Sequence, residues 1–358
     1  MQGETVMITQ KPNETGIPRF GCVYGPVVSR RFGLSLGVDL VPAKTCCYNC
    51  VYCQLGATSK LTTIRQEFFP LEDIIAELDD ALQRGPRPDV ITLCGSGEPT
   101  LYKPLGRLIR AIRARSGIPI VLLTGGGLLA DDDVARDALE ADIIAPSLDA
   151  GDELRFLRIN RPHASLRFEK IVRGLRNVAR RFRGSLRIEV MLVPDMNDSI
   201  ESLEAIASRL RPIPNATIEI NTPSRPAPGR TFHLFERAAL ERVRTILGKQ
   251  AIILSEREWH GSDKAVVSSY ASKSEQIAAL LARHPSTVRQ VMSALGLSKR
   301  AAFDGFEELR HAGLLEKRTI GGVAYYAVRR APRLRGESFI CSRPSWVWHF
   351  SPRNRSPN

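Results

Sequence analysis

The sequence of 358 residues contains no uninterrupted apolar run of the roughly 18 residues that a membrane-spanning helix needs. Its first five residues, Met1 to Thr5, lack the basic segment and apolar core of an export signal. Cysteine is scarce, with seven residues, and four of them fall within eight positions, unlike the cysteines of a secreted disulfide framework. We therefore expect a cytoplasmic protein without membrane contact, whose thiols stay reduced unless they bind a metal.

Acidic side chains are in deficit. The chain has 51 Lys and Arg residues against 38 Asp and Glu, which gives a formal charge of +13 at pH 7 and a pI near 9.7. This balance favours a polyanionic partner such as nucleic acid. Much of the excess is nevertheless spaced like the polar side of an amphipathic helix, and solvated faces of this kind are common. The arginines concerned are Arg173, Arg176, Arg180, Arg181 and Arg183.

Cysteine is concentrated in the segment 44–56. Cys46, Cys50 and Cys53 form the pattern Cys-x3-Cys-x2-Cys, and Cys47 lies outside it. Three thiolates suit a soft metal or an iron–sulfur cluster, and they are one short of the four ligands that a closed site normally uses. The pattern therefore favours a metal centre with one open corner, in which Cys47 takes no part.

Two other interpretations of the cysteine pattern stay open at this point. Offsets of four and three residues fall on one face of a helix, so the cysteines also fit a buried apolar stripe. Asn49 and Val51 argue against this, because they make the segment an indifferent helix former. The second alternative is a zinc site that a distant His or Cys completes.

Apolar segments alternate with amphipathic ones through most of the chain. Near-continuous apolar runs predict six strands, at 34–40, 89–94, 118–124, 142–147, 186–193 and 217–221, with helices at 71–84, 105–115, 133–139, 166–182 and 199–210. Strands that alternate with helices predict a parallel α/β sheet. Sequential right-handed crossovers would curl this sheet into a partial (β/α)6 barrel.

Glycines and polar side chains follow the predicted strands, where parallel α/β folds bind their ligands. Glycine allows close backbone approach and Glu98 can pair with an ammonium group, although a plain turn is the alternative. Ser147 and Asp149 also fit helix or strand-end caps. We expect one shared cavity at the strand ends. The candidate ligand-binding residues of this cavity are Tyr52, Gly95, Ser96, Gly97, Glu98, Ser147 and Asp149.

The cysteine pattern, with the aromatic Tyr52 before its last cysteine, resembles the signature of the radical S-adenosylmethionine (SAM) superfamily. The resemblance implies that Cys46, Cys50 and Cys53 hold a [4Fe–4S] cluster, whose fourth iron takes the amino and carboxylate groups of SAM. It also implies that an electron from the cluster splits the sulfonium to give a 5′-deoxyadenosyl radical, so an electron donor such as flavodoxin or ferredoxin is expected. The Gly95–Glu98 segment is similar to the family segment that contacts the SAM amino group.

The run from Val23 to Arg225 resembles one branch of that superfamily, the proteins related to the tRNA wyosine-base synthases. The matching segments include Gly-Val-Asp-Leu-Val-Pro, Gly-Ser-Gly-Glu-Pro-Thr-Leu, Pro-Ser-Leu-Asp-Ala and Ile-Asn-Arg-Pro-His. The chain departs from the pattern at Thr124–Gly127, where relatives often carry asparagine and serine, and it has no second cysteine cluster. Candidate substrate residues are His163 as a proton donor, and Asn221 and Arg225 for a carboxylate or phosphate.

The composition changes after residue 262. Helices at 274–282, 286–294 and 298–311, followed by a hairpin at 316–328, resemble a winged helix-turn-helix domain, which suits DNA, tRNA, peptides or proteins. We therefore expect an N-terminal arm at 1–20, a radical SAM partial barrel at 21–262, a winged-helix domain at 272–329 and a disordered tail at 330–358.

The favoured function is a metal-binding oxidoreductase that uses SAM-derived radicals on a tRNA base or another macromolecule. One alternative is an iron–sulfur sensor of oxygen or redox state that binds DNA through the winged helix. Another is a radical enzyme that modifies a peptide or protein. An acid-bearing glycine loop and a polar cavity favour an enzyme, since a sensor needs neither.

Overall fold

The structure is a computed structural model that describes residues 21–329, except residues 30, 224–226, 228–229, 231, 234, 249–250, 255–271 and 321–322. The predicted N-terminal arm, the predicted tail and Arg225 lie outside the described residues. Among the helices described, none is long and apolar enough to cross a membrane.

An eight-stranded sheet forms the centre of residues 21–254. Its strands, in spatial order, are β1 (Val23–Ser29), β2 (Gly33–Val38), β5 (Val90–Leu93), β6 (Ile120–Thr124), β7 (Ile143–Pro146), β8 (Ser185–Met191), β9 (Ala216–Asn221) and β10 (Ile252–Ile253). The six predicted strands are β2 and β5 to β9, and they pair in parallel and in sequence order. The short strands β3 (Thr45–Cys46) and β4 (Lys60–Leu61) pair beside the sheet. The prediction of an α/β fold is confirmed.

Strand β1 is not among the six predicted strands. It is antiparallel to β2 and has an irregularity between Tyr24 and Val27. Gly25 and Pro26 mask it in the sequence, because both residues are common in tight turns. Proline is tolerated because β1 lies at the sheet edge, where its missing N–H breaks no ladder.

Within the described part of residues 21–254, seven α-helices connect the strands. They are α1 (Leu71–Arg84), α2 (Leu105–Arg115), α3 (Asp132–Ala138), α4 (Glu153–Ile159), α5 (Phe168–Arg181), α6 (Ile200–Leu210) and α7 (Arg237–Leu247). Helix α4 has no sequence counterpart in the prediction, because its Leu154 and Leu157 are exposed and blur the apolar periodicity. Asp152 starts it by accepting a hydrogen bond from the Arg155 N–H at 2.8 Å. In α5, Ile171 is buried and Arg173 is exposed.

The sheet is curved. Arg31, in the turn between β1 and β2, donates a 2.7 Å hydrogen bond to Glu189 on β8 and pairs with Glu219 on β9. Arg187 also pairs with Glu219, and both arginines stack on the Phe32 ring. A flat sheet of this strand order would hold these residues several strands apart. The partial barrel itself stays a prediction.

Residues 272–329 form three helices and a hairpin, which we call the C-terminal unit. Its elements are α8 (Lys273–Arg283), α9 (Val288–Leu295), α10 (Lys299–His311) and the antiparallel strands β11 (Leu315–Ile320) and β12 (Val323–Val328). Ile277, Val291 and Phe306 belong to a separate apolar core, against which Val27 of β1 packs. The C-terminal unit therefore rests on the outer edge strand of the sheet.

Candidate functional site

Backbone hydrogen bonds hold the cysteine-rich segment between the loop that follows β5 and the residues at the end of α4. On one side the Lys44 N–H donates to the Ser96 carbonyl at 2.7 Å, and the Glu98 N–H donates to the Thr45 carbonyl at 3.0 Å. On the other side the Val51 N–H donates to the Ile159 carbonyl at 2.9 Å, and the His163 N–H donates to the Cys47 carbonyl at 2.9 Å. Backbone contacts thus hold this segment on both sides.

Each of the three cysteines in the Cys-x3-Cys-x2-Cys pattern accepts a hydrogen bond at its sulfur. The donors are the Tyr48 N–H to Cys46 at 3.4 Å, the Asn160 side-chain amide to Cys50 at 3.6 Å, and the Lys44 ammonium to Cys53 at 3.1 Å. Hydrogen bonds of this kind support thiolate ligands and tune the potential of an iron–sulfur centre. The three residues therefore fit a cluster of this type.

Cys47 is not one of the three cysteines of the pattern, and its side chain is fully buried. Hydrogen bonding with Cys47 lowers the pKa of Cys46 and raises that of Cys47 well above its ordinary value. Burial, followed by the charge of Cys46, raises the pKa of Cys50. A carboxylate oxygen of Glu98 and the sulfurs of Cys46 and Cys47 lie within 4.8 Å of one another. Cys47 thus contacts Cys46, one of the candidate cluster ligands.

The Gly95–Gly97 segment packs against protein atoms. A Cβ on Gly95 would lie 2.8 Å from an Asp39 carboxylate oxygen, and one on Gly97 would overlap the Thr45 carbonyl oxygen. Ser96 donates its N–H to Asp39 Oδ1 at 3.1 Å and its hydroxyl to Asp39 Oδ2 at 2.6 Å. These glycines are required because neighbouring loops pack closely against them. The sequence analysis instead explained the glycines by close approach of the backbone to a ligand.

Glu98 is a buried carboxylate, 2% exposed, with unequal use of its two oxygens. Its Oε1 accepts hydrogen bonds from the Thr100 N–H at 3.1 Å and from the Thr100 and Thr124 hydroxyls at 2.6 Å each. Its Oε2 accepts only the Gly125 N–H, at 2.8 Å, among the hydrogen bonds seen. Within the described part of the chain Glu98 forms no ion pair. An acceptor position on a carboxylate without an ion-pair partner in the described chain therefore remains near Cys46 and Cys47.

The loop Thr124–Gly127 makes room for the aromatic ring of Tyr48. A Cβ on Gly125 would lie 2.9 Å from that ring, and a Cβ on Gly127 would lie 3.0 Å from both the ring and the Cys47 sulfur. Tyr48 is buried and packs edge-on against Phe156 at a centroid distance of 5.5 Å. This ring occupies the space that side chains at the glycine positions would need.

Asp149 accepts hydrogen bonds from three separate segments around the site. Its Oδ2 accepts hydrogen bonds from the Tyr52 hydroxyl at 2.6 Å and the Asn160 amide at 2.7 Å, and its Oδ1 accepts the Met191 N–H at 2.9 Å. Burial raises the pKa of Asp149 to about 6. The side chains of Tyr52 and Asp149 are therefore hydrogen-bonded to each other. Ser147, half-buried at the end of β7, donates its N–H to the Thr124 carbonyl at 3.1 Å.

The predicted substrate residues are less closely associated. His163 is half-buried, and its Nδ1 shares a 2.9 Å hydrogen bond with the Ser165 hydroxyl in its own turn. Asn221 ends β9, and its Oδ1 accepts the Thr222 N–H at 3.0 Å. Arg225 is not among the described residues. Sequence patterns alone did not identify Lys44, Asp39 or Asn160. Asp39 and Asn160 have partners that are distant in sequence, and Lys44 itself lies outside the cysteine pattern.

Comparisons with known proteins agree with this geometry. Residues 40–208 match the family described as the Radical SAM superfamily. The fold is similar to that of a radical SAM methyltransferase from Sphaerobacter thermophilus, with a TM-score of 0.50, 20% identity and coverage of 61% of this chain and 64% of that one. Residues 40–208, which contain all three cysteines of the pattern, are thus similar to the Radical SAM superfamily, and this match supports the predicted [4Fe–4S] cluster and SAM.

Proteins of similar sequence show to which family the chain belongs. A UPF0026 protein of Helicobacter pylori strain J99 is 33% identical over 307 residues, which cover 85% of this chain and 96% of that protein. The chain belongs to the UPF0026 protein family. A protein named GTPase Obg from Brachyspira hyodysenteriae is 35% identical over 306 residues, but the chain spans only 45% of that longer protein.

Proposed function

We propose that this protein is a radical SAM enzyme in which Cys46, Cys50 and Cys53 hold a [4Fe–4S] cluster and the adjacent strand ends bind SAM. The bound cluster would supply an electron that cleaves SAM reductively to a 5′-deoxyadenosyl radical. The observation that carries the proposal is Glu98, a buried carboxylate that forms no ion pair in the described structure and has an oxygen within 4.8 Å of the Cys46 sulfur. Cys46 is one of the three cysteines whose sulfurs all accept hydrogen bonds.

The roles of individual side chains follow from their contacts. Glu98 Oε2 has an acceptor position left, and the ammonium group of SAM matches it in charge and in hydrogen-bonding capacity. Lys44 and Asn160 direct N–H groups at Cys53 and Cys50 and so hold the sulfurs in place. Asp149 acts on the site through Tyr52 and Asn160, because its oxygens already accept hydrogen bonds from three protein donors.

We further propose a partial barrel, a relation to the tRNA wyosine-base synthases, and a macromolecular substrate such as a tRNA base that the C-terminal unit helps to bind as a winged helix. The formal charge of +13 and the order of three helices and a hairpin support this proposal. A flavodoxin or ferredoxin would serve as electron donor.

The test is anaerobic incubation of the iron-reconstituted protein with SAM and dithionite, followed by measurement of 5′-deoxyadenosine. Wild type should produce it, and Cys50→Ala should lose both iron and product. Cys22→Ala is the matched control, because Cys22 is a buried cysteine of the core outside the pattern. No 5′-deoxyadenosine from cluster-loaded wild type would refute the enzyme proposal and favour the DNA-binding sensor.

Glu98→Gln tests the proposed SAM contact separately. The variant keeps the size of the side chain and removes its charge, so SAM affinity should fall about tenfold or more, as expected for a hydrogen bond to a charged group. Iron content should match wild type, since Glu98 is not a proposed cluster ligand. Unchanged SAM affinity would exclude Glu98 as the ammonium partner.

A further inference from the structure

A buried arginine of the C-terminal unit contacts Asp39, which lies beside the glycine loop of the proposed SAM site. Arg283, at the end of α8, is 5% exposed. Its Nε lies 3.3 Å from Asp39 Oδ2, its Nη2 donates to the Gly21 carbonyl at 2.7 Å, and its guanidinium stacks on the Tyr24 ring at 4.3 Å. A guanidinium held on three sides is a fixed positive charge.

Asp39 links this charge to the glycine loop. It lies directly after β2, is 6% exposed, and accepts both hydrogen bonds that Ser96 donates. Its carboxylate also fills the space beside Gly95, where any Cβ would collide with it. The position of the 95–98 loop therefore depends on where the Asp39 carboxylate is held, and Arg283 is the cation that lies beside it in the described structure.

The next residue provides a second connection. His284 Nδ1 lies 2.8 Å from the side-chain amide of Gln54, which follows the candidate ligand Cys53 directly. The Gln54 amide also donates to the Arg283 carbonyl at 3.4 Å. Two consecutive residues of the C-terminal unit thus contact both the glycine loop, through Asp39, and the end of the cysteine-rich segment.

We infer that the C-terminal unit is a structural part of the cofactor site, and that Arg283 is a positioning residue which acts through Asp39 on the Gly95–Glu98 loop. The SAM-binding side of this inference rests on the proposed function. The coupling of Arg283 to the loop does not, because it is a property of the protein without its cofactors.

The test compares Arg283→Met, Asp39→Asn and the double variant in the full-length protein. Amide hydrogen exchange of the 94–98 segment should become about tenfold faster in Arg283→Met, as expected when a buried charge-assisted contact is lost, while exchange of 120–124 stays unchanged. In the cluster-loaded protein, SAM affinity should fall about tenfold with iron content unchanged. Arg310→Met is the matched control, since Arg310 is exposed and pairs with Glu307 of its own helix.

The double variant shows whether Arg283 acts through Asp39. It contains no unpaired buried charge, so it should fold even if Arg283→Met is poorly stable, and its 94–98 exchange should be no faster than in the single variants. Additive effects, or unchanged 94–98 exchange in Arg283→Met, would overturn the inference. If cluster-loaded wild type bound no SAM, the proposed function would fail, and the exchange measurements would still decide the coupling.

Discussion

Replacing Gly97 with alanine tests whether the glycine loop and the cysteine-rich segment are fitted to each other. The new Cβ would overlap the Thr45 carbonyl oxygen and lie 2.9 Å from its carbon and 2.7 Å from Val41 Cγ2. Carbon atoms in contact sit about 3.5 Å apart or more. The two segments must therefore separate by about 1 Å, since two of the obstructing atoms belong to backbone.

The structure sets the size of the effect. Separation lengthens two hydrogen bonds, from the Glu98 N–H to the Thr45 carbonyl at 3.0 Å and from the Lys44 N–H to the Ser96 carbonyl at 2.7 Å. Each contributes about 1 kcal/mol, and overpacking costs about 1–3 kcal/mol. Gly97→Ala should lower the free energy of unfolding by about 3–5 kcal/mol, which corresponds to a Tm decrease of roughly 4–7 °C for a chain of this length.

Denaturant and thermal unfolding of the apo-protein, with iron content after reconstitution, provide the assay. Gly117→Ala is the control, because a Cβ there meets no atom within 4 Å and should cause no loss of stability. Iron loading should fall in Gly97→Ala only, since displacement of Thr45 moves the adjacent Cys46. Equal Tm values and equal iron contents for the two variants would refute the fit that we describe.

Two further predictions concern charge at the site. Lys44→Met removes the cation that donates to Cys53, so the cluster potential should become more negative by roughly 60 mV, equivalent to about 1.4 kcal/mol for one electron; a redox titration that gives the same value for Lys44→Met and for the control Lys60→Met would contradict this. The pKa of Asp149 is raised to about 6, above the unfolded value of about 3.9, so its protonation stabilises the folded apo-protein fully below about pH 4, and this contribution is lost as the pH rises through 6. Denaturation curves from pH 4 to 8 should show this decline in wild type and a smaller one in Asp149→Asn, and equal slopes would exclude Asp149 as its source.

The parallel strands and the cysteine-rich segment could be predicted from sequence because their signals are local. Six apolar runs predicted six of the eight strands of the sheet in their order, and the spacing of Cys46, Cys50 and Cys53 predicted a metal centre. The order of three helices and a hairpin at 272–329 was predicted for the same reason. Periodicity and spacing act over one element, so sequence reveals them directly.

What the sequence did not reveal depends on distant partners. Pro26 prevents recognition of the edge strand β1 in the sequence. Proline is tolerated in this strand because no further strand pairs with its outer side, and the sequence does not show that this side is unpaired. The roles of Gly95 and Gly97 depend on Asp39 and Thr45, residues about fifty positions away in the chain. Arg283 resembles any arginine at the end of a helix until the fold brings it to Asp39. Such pairings arise from tertiary packing, which no local pattern records.

The contact between Arg283 and Gly21 spans 262 positions of the chain, which has a consequence for biosynthesis. At a translation rate of about 5–20 residues per second, the ribosome needs roughly 13–50 s to produce Arg283 after Gly21 has been made. During that interval Asp39 lacks its cationic neighbour and the outer side of β1 lacks its cover. The nascent sheet therefore passes through a stage with an open, aggregation-prone edge, and its final consolidation is a late event that waits for the C-terminal helices.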